Sequence, residues 1–272
     1  MEQYQPNYPE GLPYWVKRIQ QANTRNAKRT IAQTEEELKK LYSEQNEKLY
    51  NKLIEVFVKI ANDKEDGKIY TNDLFLTNNY HLLIKYFNEC AKTIGGEQLR
   101  ITDSALLNTY NFAQQTIEAF MPKGMIQNRF VIPSAVSPEQ AVNHVWCLDG
   151  KEFSDRIWQS KTKLVQQLSS TMGDFTAQGV SPFKLAQEIT KNLQTDLYSA
   201  YRIARTETAH AQIQGQADKY KEIGFTKAIW LATDACEECE ALDGQEFSLD
   251  EIQRMLPRHP NCTCSFLLEV GD

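Results

Sequence analysis

Apolar residues recur along most of this chain at intervals of three and four, the spacing of helices that bury one face. From Thr34 onward the series Leu38, Leu41, Leu49, Leu53, Val56, Phe57 and Ile60 makes one stripe, and the polar run Asp63–Gly67 closes it. Thr34 and Glu37 have capping-box spacing, so the pattern predicts a helix beginning at Thr34. A second series, Leu82, Leu83, Tyr86, Phe87, Cys90 and Ile94, is expected to stop at Gly95-Gly96. A third, Leu106, Tyr110, Ala113, Ile117 and Phe120, is closed by Pro122 and Gly124.

Helix starts are clearly punctuated in the second half. Ser137-Pro138-Glu139-Gln140 supplies an N-cap, a proline at the first helical position and a capping glutamine. Ser181-Pro182 repeats the first two before Leu185, Ala186, Ile189 and Leu193. A long helix from about Asp196 to Ile223 is expected to end at Gly224. After it the periodicity changes. Ala228–Thr233 and Ser265–Val270 read as short strands, and Ser248 with Glu251 caps a short helix between them that Pro257 ends. One internal echo links Cys147-Leu-Asp-Gly-Lys-Glu-Phe-Ser154 to Ala241-Leu-Asp-Gly-Gln-Glu-Phe-Ser248, each read as a tight Asp-Gly turn feeding a capped helix.

The pattern therefore predicts a mainly α protein: a helical-bundle body with a small α+β module at the C-terminus. In segments, this is an N-terminal arm over 1–33, a helical bundle region over 34–130, a second helical region over 131–227 and the module over 228–272.

Composition narrows the function. The chain has 272 residues, 41% hydrophobic and 24% charged, which is a globular balance. No apolar run approaches the ~20 residues of a membrane helix. Met1–Trp15 has neither a basic nor an apolar stretch of the kind that directs export, so membrane and secreted readings are set aside. A net charge of -6 argues against a protein built mainly to neutralise nucleic-acid phosphates. That charge is unevenly spread. Asp234–Asp272 holds ten acids against Arg254 and Arg258, whereas Lys17, Arg18, Arg25, Lys28 and Arg29 follow one another with no acid between them.

The cysteines add the sharpest feature. Cys90 and Cys147 stand alone, but Cys236-x-x-Cys239 and His259-Pro-Asn-Cys262-Thr-Cys264 crowd the end of the chain. Cys-x-x-Cys lets two thiolates converge on one ion from a turn, and a second pair closes a tetrahedral site. Four of the five residues Cys236, Cys239, His259, Cys262 and Cys264 would make a closed, structural zinc site. The acidic module around it would repel DNA, so it reads as a staple or a protein-docking surface.

Arg202 and Arg205 are neighbours on one helix face and need acidic partners elsewhere; Glu207 has only His210 within reach on its own helix. These four residues are read as a structural clasp to the module. The competing reading makes Glu207 a general base and His210 an acid in a metal-supported enzyme acting on nucleic acid or protein. The basic N-terminal stretch is read as partner-binding, with DNA as the alternative partner. His81 and His144 read as packing or surface residues, and Trp146 and Trp158 as core anchors.

Several of these residues together resemble a known family. Trp146–Trp158 (W-C-L-D-G-K-E-F-S-D-R-I-W), Ala204–Glu207 (A-R-T-E), the Cys-x-x-Cys with its Leu-Asp-Gly, and His259–Cys264 (H-P-N-C-x-C) resemble phage minor head proteins of the Mu F-like head-morphogenesis family, particularly those of phages and prophages of Gram-positive bacteria. The resemblance covers roughly Ser137–Val270. Leu256-Pro-Arg-His-Pro260 departs from the family's usual Pro-Pro-Leu-His-Pro. The resemblance implies a non-enzymatic minor capsid component, bound to portal and capsid proteins during procapsid assembly in the host cytoplasm and then resident in the virion head, with a role in DNA packaging or ejection.

Overall fold

The computed structural model describes residues 8, 11–125, 137–146, 150–233 and 236–270. Helices dominate it: α1 (Tyr14–Asn62), α2 (Thr71–Leu76), α3 (Asn79–Phe120), α4 (Pro138–Val142), α5 (Phe153–Thr176), α6 (Pro182–Thr190) and α7 (Asn192–Ile223). The C-terminal part interleaves β1 (Lys227–Leu231), α8 (Glu237–Glu240), β2 (Glu246–Ser248), α9 (Leu249–Met255) and β3 (Ser265–Leu268). The strands form an antiparallel sheet in the order β2-β1-β3, with Ala228 opposite both Phe247 and Leu268. This is the mainly α body with a small α+β module that the pattern predicts.

Two helix boundaries differ from expectation. Thr34 does not start a helix; it is buried midway along α1, which begins at Tyr14. The inward face continues N-terminally through Val16, Ile19, Gln20, Asn23, Asn26 and Ala27. Much of that continuation is polar, so its apolar periodicity fades although its burial does not. Likewise Gly95-Gly96 does not end the second helix. α3 runs through both glycines because Gly95 is a close-packing position: a Cβ there would lie 2.6 Å from Cζ3 of Trp158. Trp158 is itself 41% exposed, a lid on that crossing rather than a core anchor.

Other punctuation falls where predicted. Ser137 and Ser248 each cap a helix reciprocally with Gln140 and Glu251, and Gly224 adopts φ +104° after α7. His144 lies beyond the end of α4 and not in a helix. The turn at Asp243-Gly244 has Gly244 at φ +74°, and it feeds β2, a strand the pattern did not predict. Cys147–Asp149, in the first copy of the echo, lies outside the described residues.

The chain divides into two compact units, each assembled from separated stretches. One comprises Glu35–Ile101 and Ser154–Tyr201 and is helical throughout its regular structure. Its core contains Leu53, Phe57, Phe87, Ile94, Ile157, Leu164, Leu168 and Ile189. Within it Lys161 is ion-paired to Asp196; Tyr42 donates to the same carboxylate at 2.5 Å, and Ser160 donates to its other oxygen at 2.5 Å. The Lys161 ammonium also lies over the Tyr42 ring, 5.0 Å from its centroid. Burial lowers the Lys161 pKa against the opposing pull of Asp196, while burial and then Asp196 raise that of Tyr42.

The second unit comprises Met1–Thr34, Thr102–Phe153 and Arg202–Asp272 and contains the sheet. Its core joins Val16, Ile19, Ile117, Ile213, Tyr220, Trp230, Ile252 and Phe266. Gly215 permits a close approach there, since a Cβ would lie 2.5 Å from the Tyr110 carbonyl oxygen.

Candidate metal centre

Three local structures bring the five metal-ligand candidates together. Cys236 precedes α8, and its carbonyl accepts the N–H groups of Cys239 and Glu240, so the chain turns tightly and Cys239 faces inward. A second turn returns at His259–Cys262, where the Cys262 N–H donates to the His259 carbonyl and Asn261 takes φ +61°. Cys264 follows Cys262 by two positions in extended chain, just before β3.

Neighbouring groups fix that second turn. The Asn261 N–H donates to Thr206 Oγ1 on α7 at 3.1 Å, and the Thr263 hydroxyl donates to the Thr233 carbonyl at 2.5 Å. Ser265 accepts from the Gln20 side chain on α1 at 2.6 Å.

The resulting cluster has two overlapping triplets, Cys236–Cys239–His259 and Cys239–Cys262–Cys264. Within each, the donor atoms all lie within 4.8 Å of one another. His259 Nε2 is 3.4 Å from Cys236 Sγ and 3.6 Å from Cys239 Sγ. Ligands at ~2.3 Å around a tetrahedral ion stand about 3.8 Å apart. Cys239, Cys262 and Cys264 are buried and form part of the apolar core beneath the sheet.

The donor set fits a divalent metal on two counts. His259 Nδ1 donates to the Pro260 carbonyl at 3.0 Å, which fixes the tautomer and leaves the Nε2 lone pair toward the sulfurs. The thiols also hold their protons unequally. Hydrogen bonding from Cys264, with help from His259, pulls Cys262 down to about 5, whereas burial, then Cys262, pushes Cys239 up to about 12. Cys264 is also raised, by its bond to Cys262 and by burial. Crowded thiols cannot all ionise without a cation, and a bound metal removes that conflict.

The residues read as a clasp occupy two environments. Glu207 and His210 are buried, whereas Arg202 and Arg205 are exposed. Trp146 Nε1 donates to Glu207 Oε2 at 2.9 Å, and the Trp146 ring stacks on His210 at 4.1 Å and 10°. His210 Nδ1 donates to the Leu256 carbonyl, at the end of α9, at 3.0 Å. His144 completes the group with its ring centroid 5.5 Å from that of His210. The sequence reading missed Trp146 as the Glu207 partner and Thr206 as the anchor of the metal loop. The only hint of Thr206 was its place inside the A-R-T-E run.

The basic stretch on α1 also divides. Lys17 lies over the Tyr8 ring, and Arg18 lies 4.4 Å from the Phe120 ring centroid. Arg25, Lys28 and Arg29 are exposed.

No helix among the described residues is long and apolar enough to cross a membrane. Residues 168–267 match the model of a family described as Phage Mu protein F like protein. No curated protein and no solved structure matches the chain.

Proposed function

We propose that this chain, a phage Mu F-like head protein over residues 168–267, is a minor capsid component that attaches to the portal and acts in procapsid assembly. The observation that carries the reading is where the matched segment falls: it contains α7, the sheet up to the last residue of β3 and all five cluster residues, so the family's segment takes in the metal-ligand cluster. In this reading the ion is structural zinc, in keeping with a thiolate and imidazole donor set that packs into the core. It holds the turns at Cys236–Cys239 and His259–Cys264 against each other.

The role is non-enzymatic. Glu207 and His210 serve as packing and hydrogen-bonding partners of Trp146 and Leu256, which is the work of a clasp rather than of a general base and acid. The protein partners are the portal and neighbouring capsid proteins, and Arg25, Lys28 and Arg29 supply a docking charge on α1. DNA packaging or ejection follows as a consequence of a position at the portal vertex.

Co-expression with the portal protein of the same phage, followed by affinity capture, tests the assignment. A stable complex and the presence of the chain in purified heads are expected. Heads that lack the chain, together with no portal complex, would overturn it. Elemental analysis is expected to find about one zinc per chain.

A further inference from the structure

In the unit made of Glu35–Ile101 and Ser154–Tyr201, one stretch runs from the end of α1 into α2: Asn62-Asp-Lys-Glu-Asp-Gly-Lys-Ile-Tyr-Thr-Asn-Asp73. Its twelve positions have the spacing of a calcium-binding helix–loop–helix. In such a loop oxygen ligands come from positions one, three, five, seven, nine and twelve, the seventh through its main-chain carbonyl, and position six is glycine. Here Asn62, Asp66, the Lys68 carbonyl, Tyr70 and Asp73 fall on five of those ligand positions, and Gly67 falls on position six. The ligand position left over, the third, holds Lys64.

The backbone follows the same plan. α1 ends at Asn62, the first position, and α2 starts at Thr71, the tenth. Gly67 turns the chain at φ +59°. Ile69, at position eight, is buried and exchanges two hydrogen bonds with Val180, at 2.8 and 3.1 Å, in an antiparallel bridge. That bridge ties the loop to the connection between α5 and α6. Gly179 in that connection takes φ +75°, and a Cβ there would lie 2.4 Å from Cε1 of Tyr70, so the Tyr70 ring packs directly on main chain. The hydroxyls of Thr71 and Thr176 share a hydrogen bond of 3.0 Å.

The difference lies in the cation. The Lys64 ammonium donates to Asp73 Oδ2 at 2.6 Å, on the carboxylate at position twelve, and both side chains are half-buried. The same oxygen accepts the Tyr70 N–H at 2.7 Å, and the ammonium lies 4.6 Å from the centroid of the Tyr70 ring. Asp66 accepts from the Lys68 N–H and from the Tyr70 hydroxyl, each at 3.0 Å. An ordinary surface ion pair requires neither this glycine, nor the bridge, nor the helix register around it.

We propose that Lys64 stands in for a metal: loop 62–73 has the layout of a divalent-cation loop, and its positive charge comes from within the chain. The single charge suits the donor set, since Asp66 already spends both oxygens on protein donors and leaves Asp73 as the carboxylate to be neutralised. The joint between α1 and α2 therefore closes without an ion from solution. It takes calcium only when position three carries an oxygen in place of the ammonium.

The test is hydrogen exchange over 62–73 in the full chain, with and without added calcium chloride. The parent should show the same protection in both. Lys64→Met keeps most of the stem and removes the charge; exchange across the loop should become about fivefold faster or more. Lys64→Asp supplies the missing oxygen. It should lose protection likewise and regain it with calcium, at a Kd of about 10⁻⁴–10⁻³ M, the weak end of the range for such loops. Should the added carboxylate prevent folding, Lys64→Asn supplies an oxygen without charge and is expected to show the same recovery. Calcium-induced protection of 62–73 in the parent overturns the proposal, as does a Lys64→Met chain protected as well as the parent. Either would show that the ammonium does not fill the cation's place. No calcium response in Lys64→Asp and Lys64→Asn also overturns it, because the remaining oxygens then do not converge on an ion. A calcium effect confined to 236–264 counts as no response.

Discussion

Each of the two units buries polar chemistry in an apolar interior, and each satisfies it differently. In the helical unit the solution is an ion pair: Lys161 and Asp196, with Tyr42 and Ser160 filling the remaining hydrogen-bonding positions of the carboxylate. In the sheet-containing unit it is a cluster of thiols and one imidazole whose donor atoms lie close enough to hold a metal ion. The first solution is complete with side chains alone. On the proposed reading the second is completed by a metal ion, so the stability of the two units should respond to different perturbations.

Metal removal should separate them most widely. Structural zinc contributes about 10–16 kcal/mol of apparent binding free energy in small modules. A strong chelator, or Cys239→Ser, which strikes the cysteine common to both triplets, should open the sheet module. Hydrogen exchange is the measurement: protection over 227–268 is expected to collapse while the α5 segment around Lys161 keeps its own. Unchanged protection across β1 and β3 after complete chelation would remove the staple from the account.

The next largest effect belongs to the helical unit. Lys161→Met leaves the Asp196 carboxylate buried without its cation, which should cost about 3–5 kcal/mol in chemical denaturation. Replacing both partners, Lys161→Met with Asp196→Leu, should recover most of that loss, because the desolvation cost disappears with the charges. A neutral Lys161→Met would show that Tyr42 and Ser160 stabilise the carboxylate unaided.

Alkali should act on both units and so blur the contrast. Burial raises the pKa of Tyr42, Tyr110 and Tyr220, with Asp196 reinforcing the shift at Tyr42 and Asp218 at Tyr110. A tyrosine whose folded pKa lies above its unfolded value of about 10 stabilises fully below that pH and loses its contribution as pH climbs toward the folded value. Each such group removes up to about 1.4 kcal/mol per pH unit in that window. Denaturation midpoints should therefore fall from about pH 10 upward, and Tyr220→Phe should flatten the slope. A slope unchanged by that substitution would assign the alkaline loss to other groups.

How much of this contrast the sequence carried depends on the kind of signal involved. The cysteine spacing was legible because metal ligation needs particular residue types at short intervals. The capped helix starts at Ser137 and Ser248 were legible because capping is local. The buried ion pair was not read, although Lys161 interrupts an apolar stripe between Ile157 and Leu164, and Asp196 follows Leu193 by one turn. Each looks like an ordinary surface charge until its partner, 35 residues away, is known. The start of α1 was hidden for a related reason: Gln20, Asn23 and Asn26 are buried on its inner face, and burial of polar residues leaves no hydrophobic period.

Glycine gives the finest comparison, since each unit has one glycine at a close helix approach and the two should behave differently. At Gly215 the added methyl would meet the carbonyl oxygen of Tyr110, main-chain structure within α3 that cannot swing aside. Gly215→Ala should therefore destabilise by about 1–3 kcal/mol, the usual cost of overpacking. At Gly95 the nearest obstacle is the edge of the partly exposed Trp158 side chain, with Cγ of the buried Lys161 next at 3.0 Å. Alanine also gains about 1 kcal/mol over glycine within a helix. The two terms oppose each other, so Gly95→Ala should change stability by less than about 1 kcal/mol while altering Trp158 fluorescence. A large loss at Gly95 would mean that Trp158 is held as firmly as main chain, and that the crossing of α3 and α5 is as rigid as that of α3 and α7.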